Sequence, residues 1–481
     1  MFRTACPGYT PPSSKKLRTR LLDKTLKGLD EEMKILVEKA PVVSIVSDGW
    51  SNIRNDHLVN FVVTIPNCKP ILYKAIETTE ISQTGEAIYQ ELKKVIQEIG
   101  PEKVCSVVTD NASNMQAAWN LIEKEYPFMF ANGCAAHVLN LLVKDILQIS
   151  AYEETLRNAV DVSKFIKARG ALCKEFRNIQ AQSSSIKKKR FLSLPVETRW
   201  YTQYQCLKNV LDNRETLSMI CVTNVFRKKY SKIESARSFK SLIENDEFWT
   251  NLQKLALILK PICDGIGVME KDRGFLSDVY KTFLNLLSHS ALQDKNVRDL
   301  VEDRWNFIHT EAMGFAYLLD PRQLGGRNMF GNDKENTLQE LQSYMEKAHS
   351  DSVEVNNYLE SWSYASDTFI SAAMKNSPLL TWGYYFAEKF PKLYLLARRL
   401  FAIPTSSAAS ERVWSVFSFI HSKKRCRLVN SRVMNLAKVY VNTSISRMET
   451  SKARKEKAID YFQELPEEIE EDEEPDSIDI F

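Results

Sequence analysis

The chain has 481 residues, 44% hydrophobic and 10% aromatic, with only 15 glycines and 16 prolines, which supplies material for packed cores and argues against a mainly disordered chain. No apolar run reaches the ~18 residues of a transmembrane helix, and Met1-Phe-Arg-Thr-Ala-Cys-Pro-Gly has no apolar stretch of the secretory kind. The nine cysteines (Cys6, Cys68, Cys105, Cys134, Cys173, Cys206, Cys221, Cys263, Cys426) are scattered and never form a C-x-x-C pair, which argues against a zinc-finger framework and suits a reduced, intracellular protein. The net charge of +4 conceals ten acids and no Lys or Arg within residues 464–481, so the rest of the chain stands near +14. A basic body with an acidic tail suits a polyanion binder; a solvated surface followed by an unstructured end is the plainer reading of the same numbers.

In chain order, residues 1–29 are polar and basic with a helix expected near 14–27, and residues 30–40 read as helix. Val42 to Asp48 is short and β-branched, the pattern of a buried strand. His57–Ile65 and Ile71–Thr79 follow as strands, joined by Pro66-Asn-Cys-Lys-Pro70. Next come a helix over Gly85–Ile99, a strand over Val104–Asp110, a helix over Ala112–Tyr126, a short strand near 128–134 and a helix over 135–149. This is a ribonuclease H-like order, in which the first and fourth strands are neighbours. From about 150 to 395 the pattern is helical: Thr155–Ile179, Tyr204–Leu217, Phe248–Met269, Ser277–Leu292, Thr337–His349 and Ser352–Met374, with loops at Ser183–Lys189 and Leu324–Lys334. After Phe390-Pro391, a helix is expected over Leu393–Ile403, then two helices within Ser407–Asn442 joined by the basic segment Lys423 to Leu428.

Three acidic motifs stand far apart on this plan: Ser47-Asp-Gly-Trp-Ser, Thr109-Asp-Asn-Ala-Ser-Asn and Ser407-Ala-Ala-Ser-Glu-Arg-Val-Trp-Ser. Asp48 and Asp110 fall at the C-terminal ends of strands, where the expected strand order brings them together. Glu411 lies in the opening turns of a helix whose apolar stripe is Ala409, Val413, Val416, Phe417 and Ile420, so the glutamate occupies another face. Ser406 or Ser407 suits the N-cap. Phosphoryl transfer with two divalent cations needs hard oxygen ligands, and Asp48, Asp110 and Glu411 supply them for Mg²⁺ or Mn²⁺. An Asp followed by Gly or Asn is also an ordinary turn signal, so the three count together rather than singly.

With Cys134-Ala-Ala-His137 and Thr198-Arg-Trp200, these motifs make five in one order, and the chain resembles the hAT superfamily of cut-and-paste DNA transposases and their domesticated relatives over most of residues 1–445. The resemblance implies an α/β ribonuclease H-like core interrupted by a large all-α insertion domain, with C-terminal dimerisation helices. The corresponding divisions are 1–40, a basic helical lead-in; 41–150, the first part of the core; 151–390, the insertion; 391–447, core completion and dimerisation; and 448–481, an acidic disordered tail. It implies an Asp48, Asp110, Glu411 catalytic triad, an element at Cys134 and His137 close to the active site, and Arg199-Trp200 as the element that stacks on an extruded base, for which an aromatic ring is apt. Cys134 and His137 alone do not make a zinc site. Arg412 is a candidate phosphate contact.

Family members usually carry an N-terminal BED-type zinc finger. Here Cys6 is the sole cysteine before Cys68 and no histidine precedes His57, so that module is expected to be missing. Lys15-Lys16, Lys187 to Arg190 and Lys423 to Arg425 suit phosphate contacts or nuclear import. The expectation is a nuclear protein that acts on DNA by metal-dependent cleavage and strand transfer, with hairpinned flanking DNA, as a homo-oligomer without membrane or small-molecule cofactor. The alternative is a catalytically silent domesticated transposase serving as a DNA-binding or protein-interaction dimer.

Overall fold

The computed structural model describes residues 11–79, 84–182, 190–196, 201–271, 274–329, 331–347 and 352–443. A helical lead-in ends in α1 (Leu22–Lys39), followed by β1 (Val43–Ser51), β2 (His57–Thr64), β3 (Ile71–Glu77), α2 (Gly85–Ile99), β4 (Val104–Thr109), α3 (Ser113–Glu125), β5 (Phe130–Gly133) and α4 (Ala135–Leu147). The five strands form one mixed sheet in the order β3-β2-β1-β4-β5. β1 runs antiparallel to β2, β2 antiparallel to β3, and β4 lies parallel to both β1 and β5.

Both faces of the sheet are covered, which is why its central strands read as nearly continuous apolar runs. Val43 and Ile45 pack beneath α1, α2 and α3, against Met33, Val37, Leu92, Ile96 and Ile122. Val42 and Val46 point the other way and join α4 and the helical mass. Val43, Ile45 and Val46 are all fully buried, and each such side chain contributes about 1.5–3 kcal/mol relative to exposure.

The region after α4 is helical, but it is more broken than the apolar periodicity suggests. The expected helix over Thr155–Ile179 is two, Ser150–Lys167 and Gly170–Gln182. The Arg169 guanidinium stacks 3.9 Å from the Phe165 ring and donates to the Phe165 carbonyl at 2.8 Å, taking the acceptor that the backbone N–H of Arg169 would use in a continuing helix. Tyr204–Leu217 divides at Asn213, whose buried amide donates to the carbonyls of Asn209 and Arg190 at 2.7 and 2.9 Å. Ser352–Met374 divides where Ser366 caps a new helix, accepting from the Phe369 N–H at 3.3 Å.

The chain then returns to the sheet. Arg399, near the end of the helix Pro391–Leu400, donates to the carbonyls of Glu102, Val104 and Phe128 at 3.1, 2.9 and 2.8 Å. Ser44 on β1 donates to the Ala402 carbonyl at 3.0 Å. The helix Ala408–Ile420 crosses β1 and β2. A last helix, described over 430–443, is held at both ends. Asn430 joins Asn52, Arg54 and Asp56 in one network, and the buried Asn442 amide bonds both the N–H and the carbonyl of Leu72 at 3.0 Å. Asn442 thereby satisfies one residue of the edge strand β3, as a neighbouring strand would.

Candidate active site

Strand register brings the two aspartates together. Val46 lies opposite Val108 in the parallel pair, so Asp48 and Asp110, two residues farther along each chain, stand side by side. β1 does not end at Asp48, as the sequence suggested. It continues to Ser51, paired with β2 through Gly49–Val59, Trp50–Leu58 and Ser51–His57. What ends near Asp48 is the pairing with β4, so the carboxylate sits where β1 loses one neighbour and keeps the other.

Asp110 opens a turn, its Oδ1 accepting from the Ala112 N–H at 3.1 Å just before α3 begins. Its ordinary turn role and its place beside Asp48 therefore coincide. Glu411 arrives in the first turn of the helix Ala408–Ile420. That helix is registered by Asn60, the β2 partner of Asp48. The Asn60 amide donates to the Ser410 carbonyl at 3.3 Å, and the Ser410 hydroxyl donates back to the Asn60 Oδ1. Ser407 is the N-cap, but its hydroxyl bonds no backbone N–H of the first turn. It donates instead to the Glu411 Oε1 at 3.4 Å.

Burial, followed by the charges of Asp110 and Glu411, pushes the Asp48 carboxyl up to about 7; the Gly49 N–H and the Trp414 indole act in the opposite direction. Three carboxylates from elements remote in sequence thus share one electrostatic neighbourhood. Trp414 is almost fully buried and stacks on Trp50 at 5.4 Å with an 18° interplanar angle. Phe417 packs edge-on against both rings. The first and third acidic motifs are therefore joined through their tryptophans.

The remaining expected site residues are distributed differently. His137 is exposed on the first turn of α4. Arg412 is exposed beside Glu411, with Nη1 donating to the Glu270 carbonyl at 3.4 Å. Arg199 and Trp200 lie outside the described residues. Cys134, expected with the DNA contacts, is fully buried and presents no surface; its thiol is occupied by the backbone N–H groups of His137 and Ser407. Burial pushes that thiol up to about 11, so it stays protonated.

Of the residues that build the site, Asn60 carried no motif signal, and Ser407, Ser410 and Trp414 lay inside the third motif without any sign there of what they would touch. Asn60 could be found by counting the β1–β2 register outward from the hairpin. The Trp50–Trp414 stack has no local signature, because its partners lie more than 300 residues apart in a contact that only the fold creates.

The donor chemistry suits a hard divalent cation: three carboxylates, with burial first and then the like charges of Asp110 and Glu411 raising the Asp48 carboxyl. Among the described residues, however, no three His, Cys, Asp or Glu side chains stand close enough to form a ready metal cage.

Three family models match the chain. The domain of unknown function DUF659 matches residues 12–162, the ZBED1 RNase-like helical domain matches 133–244, and the hAT family C-terminal dimerisation region matches 341–442. No curated protein matches it. The order of the three matches, together with the sheet and the returning C-terminal helices, places the protein in a class: it is an hAT-family transposase or a protein derived from one. The dimerisation-region match points to self-association. Among the described residues no helix is long and apolar enough to cross a membrane.

Proposed function

We propose that this protein cleaves and joins DNA by divalent-metal-dependent phosphoryl transfer at Asp48, Asp110 and Glu411, and that it works in the nucleus as a homo-oligomer. In this reading the five-stranded sheet is a ribonuclease H-like core, and the helices after α4 are its insertion. The observation that carries the reading is the convergence of three carboxylates, two on adjacent strands and one on a helix some 300 residues later, with the charges of Asp110 and Glu411 adding to the burial that raises Asp48 to about 7.

Each carboxylate has a distinct task. Asp48, on the central strand, keeps its pairing with Asn60 of β2 and is half-buried. Asp110 is fixed through its turn with Ala112. Glu411 comes on a helix that packs over β1 and β2 and is anchored by Asn60 and by the Trp50–Trp414 stack. When bound there, Mg²⁺ or Mn²⁺ supplies activation of the attacking water or 3′-hydroxyl and charge for the leaving oxygen. The chain's own part is to hold the three oxygen donors in place before substrate arrives, so that reorganisation does not add to the barrier. In this reading the exposed His137 and Arg412 are assigned to contacts with the phosphate backbone.

The test is strand cleavage. Purified protein is given a pre-nicked or end-frayed duplex in Mg²⁺ or Mn²⁺, beside Glu411→Gln. Nicking or hairpin formation that vanishes in the variant is the expected result. Cutting that survives the substitution assigns the activity elsewhere, and DNA binding without cutting in either protein marks a silent, domesticated binder.

A further inference from the structure

A buried cysteine is ordinarily a small apolar side chain that fills space. Cys134 does more than that. Its backbone N–H donates to the Thr109 carbonyl at 2.9 Å, and its carbonyl accepts from the Asn111 side-chain amide at 3.1 Å. The residues before and after Asp110 are therefore both tied to Cys134. On its other side, the Cys134 Sγ accepts the Ser407 N–H at 3.3 Å, and the Ser407 hydroxyl reaches the Glu411 Oε1 at 3.4 Å. A parallel bond, Ala135 N–H to the Thr405 carbonyl at 3.0 Å, runs beside it. Thr405 and Ser406 are in turn fastened to the Met269 carbonyl at 2.8 Å each.

We propose that Cys134 is a positioning residue that couples Asp110 to Glu411: its backbone clamps the Asp110 turn, while its thiol fixes Ser407 and, through Ser407, the glutamate. The inference rests on the proposed metal site. It assigns to the cysteine of the Cys-x-x-His motif a task distinct from that of its histidine, which faces solvent. Glu411 is the exposed residue of an otherwise buried first turn, where a free glutamate side chain would sample several rotamers. The chain from Cys134 through Ser407 narrows that choice. Outer-shell partners of this kind orient carboxylate ligands, and their loss typically lowers metal affinity by 10–100-fold.

The test uses the full chain with Cys134→Ala, Cys134→Ser and Ser407→Ala. Mn²⁺ affinity is read from the paramagnetic resonance of the free ion, and amide hydrogen exchange is read over residues 404–411. In Cys134→Ala the Ser407 N–H loses its acceptor, so exchange over 404–411 accelerates and Mn²⁺ binding weakens by about 10-fold. Cys134→Ser keeps an acceptor on a shorter bond and restores most of both. Ser407→Ala removes only the hydroxyl, so Mn²⁺ affinity falls while the melting temperature holds. This last variant decides the matter if Cys134→Ala does not fold.

Wild-type exchange and wild-type Mn²⁺ affinity in folded Cys134→Ala overturn the inference. So does a Cys134→Ser variant that behaves like Cys134→Ala, since packing alone would then account for the residue. A wild-type protein that takes up no Mn²⁺ defeats the proposed function instead, and the exchange measurement still judges the coupling.

Discussion

Asp48 holds its proton to about 7, whereas an unperturbed aspartate releases it near 3.8. Between those values the unfolded chain binds fewer protons than the folded one, so this group makes stability fall as pH rises from about 4 to about 7, with no further loss above. In EDTA, Asp48→Asn therefore gains melting temperature over wild type at pH 8 and gains much less at pH 4. An equal gain at both pH values, measured by thermal unfolding, would contradict the electrostatic account. Added Mn²⁺ is expected to stabilise the wild type at pH 8 more than the variant, because the cation offsets the repulsion that the asparagine lacks. The aspartates were legible in the sequence because each follows a short β-branched run, and strand order then dictates their meeting. The tuning of Asp48 was not legible. It depends first on burial and then on the charges of Asp110 and Glu411, which come together only through tertiary packing.

At the scale of elements, two contacts decide whether the site assembles. Gly133 ends β5 where a Cβ would lie 1.7 Å from the Asn111 Oδ1 and 3.2 Å from the Trp119 ring. Gly133→Ala must displace Asn111 and break its bond to the Cys134 carbonyl. A loss of about 1–3 kcal/mol in denaturant unfolding is expected, with a fall in cleavage. The second contact is Asn442 against the β3 edge. Asn442→Ala strands the buried N–H and carbonyl of Leu72 and is expected to lower stability by about 1–3 kcal/mol. Strand positions and the helices Gly85–Ile99 and Asp246–Met269 were readable from apolar spacing. Helix interruptions were not, because at Arg169 and Asn213 a side chain takes a backbone carbonyl and apolar spacing is blind to such polar competition.

For the molecule as a whole, the C-terminal segment does two jobs. Its helix Ala408–Ile420 delivers Glu411 to a sheet built from the first part of the chain, so neither part holds the three carboxylates alone. The region matched as a dimerisation region also leaves Tyr364 81% and Tyr384 82% exposed, with Met374, Leu380 and Tyr385 exposed as well. The self-association to which that match points is expected to use these open aromatic side chains. Tyr384→Asp is expected to shift the protein toward monomer in sedimentation velocity without lowering its melting temperature; an unchanged distribution would place the interface elsewhere.

The central claim is that Asp48, Asp110 and Glu411 act as one unit, and cleavage rates of the single and double variants test it most directly. Asp48→Asn, Asp110→Asn and Glu411→Gln should each reduce DNA cleavage in Mn²⁺ to the same floor, and Asp48→Asn combined with Glu411→Gln should fall no further, since groups that act together lose their effect together. A single variant that cuts at the wild-type rate, or losses that multiply in the double variant, would contradict the account.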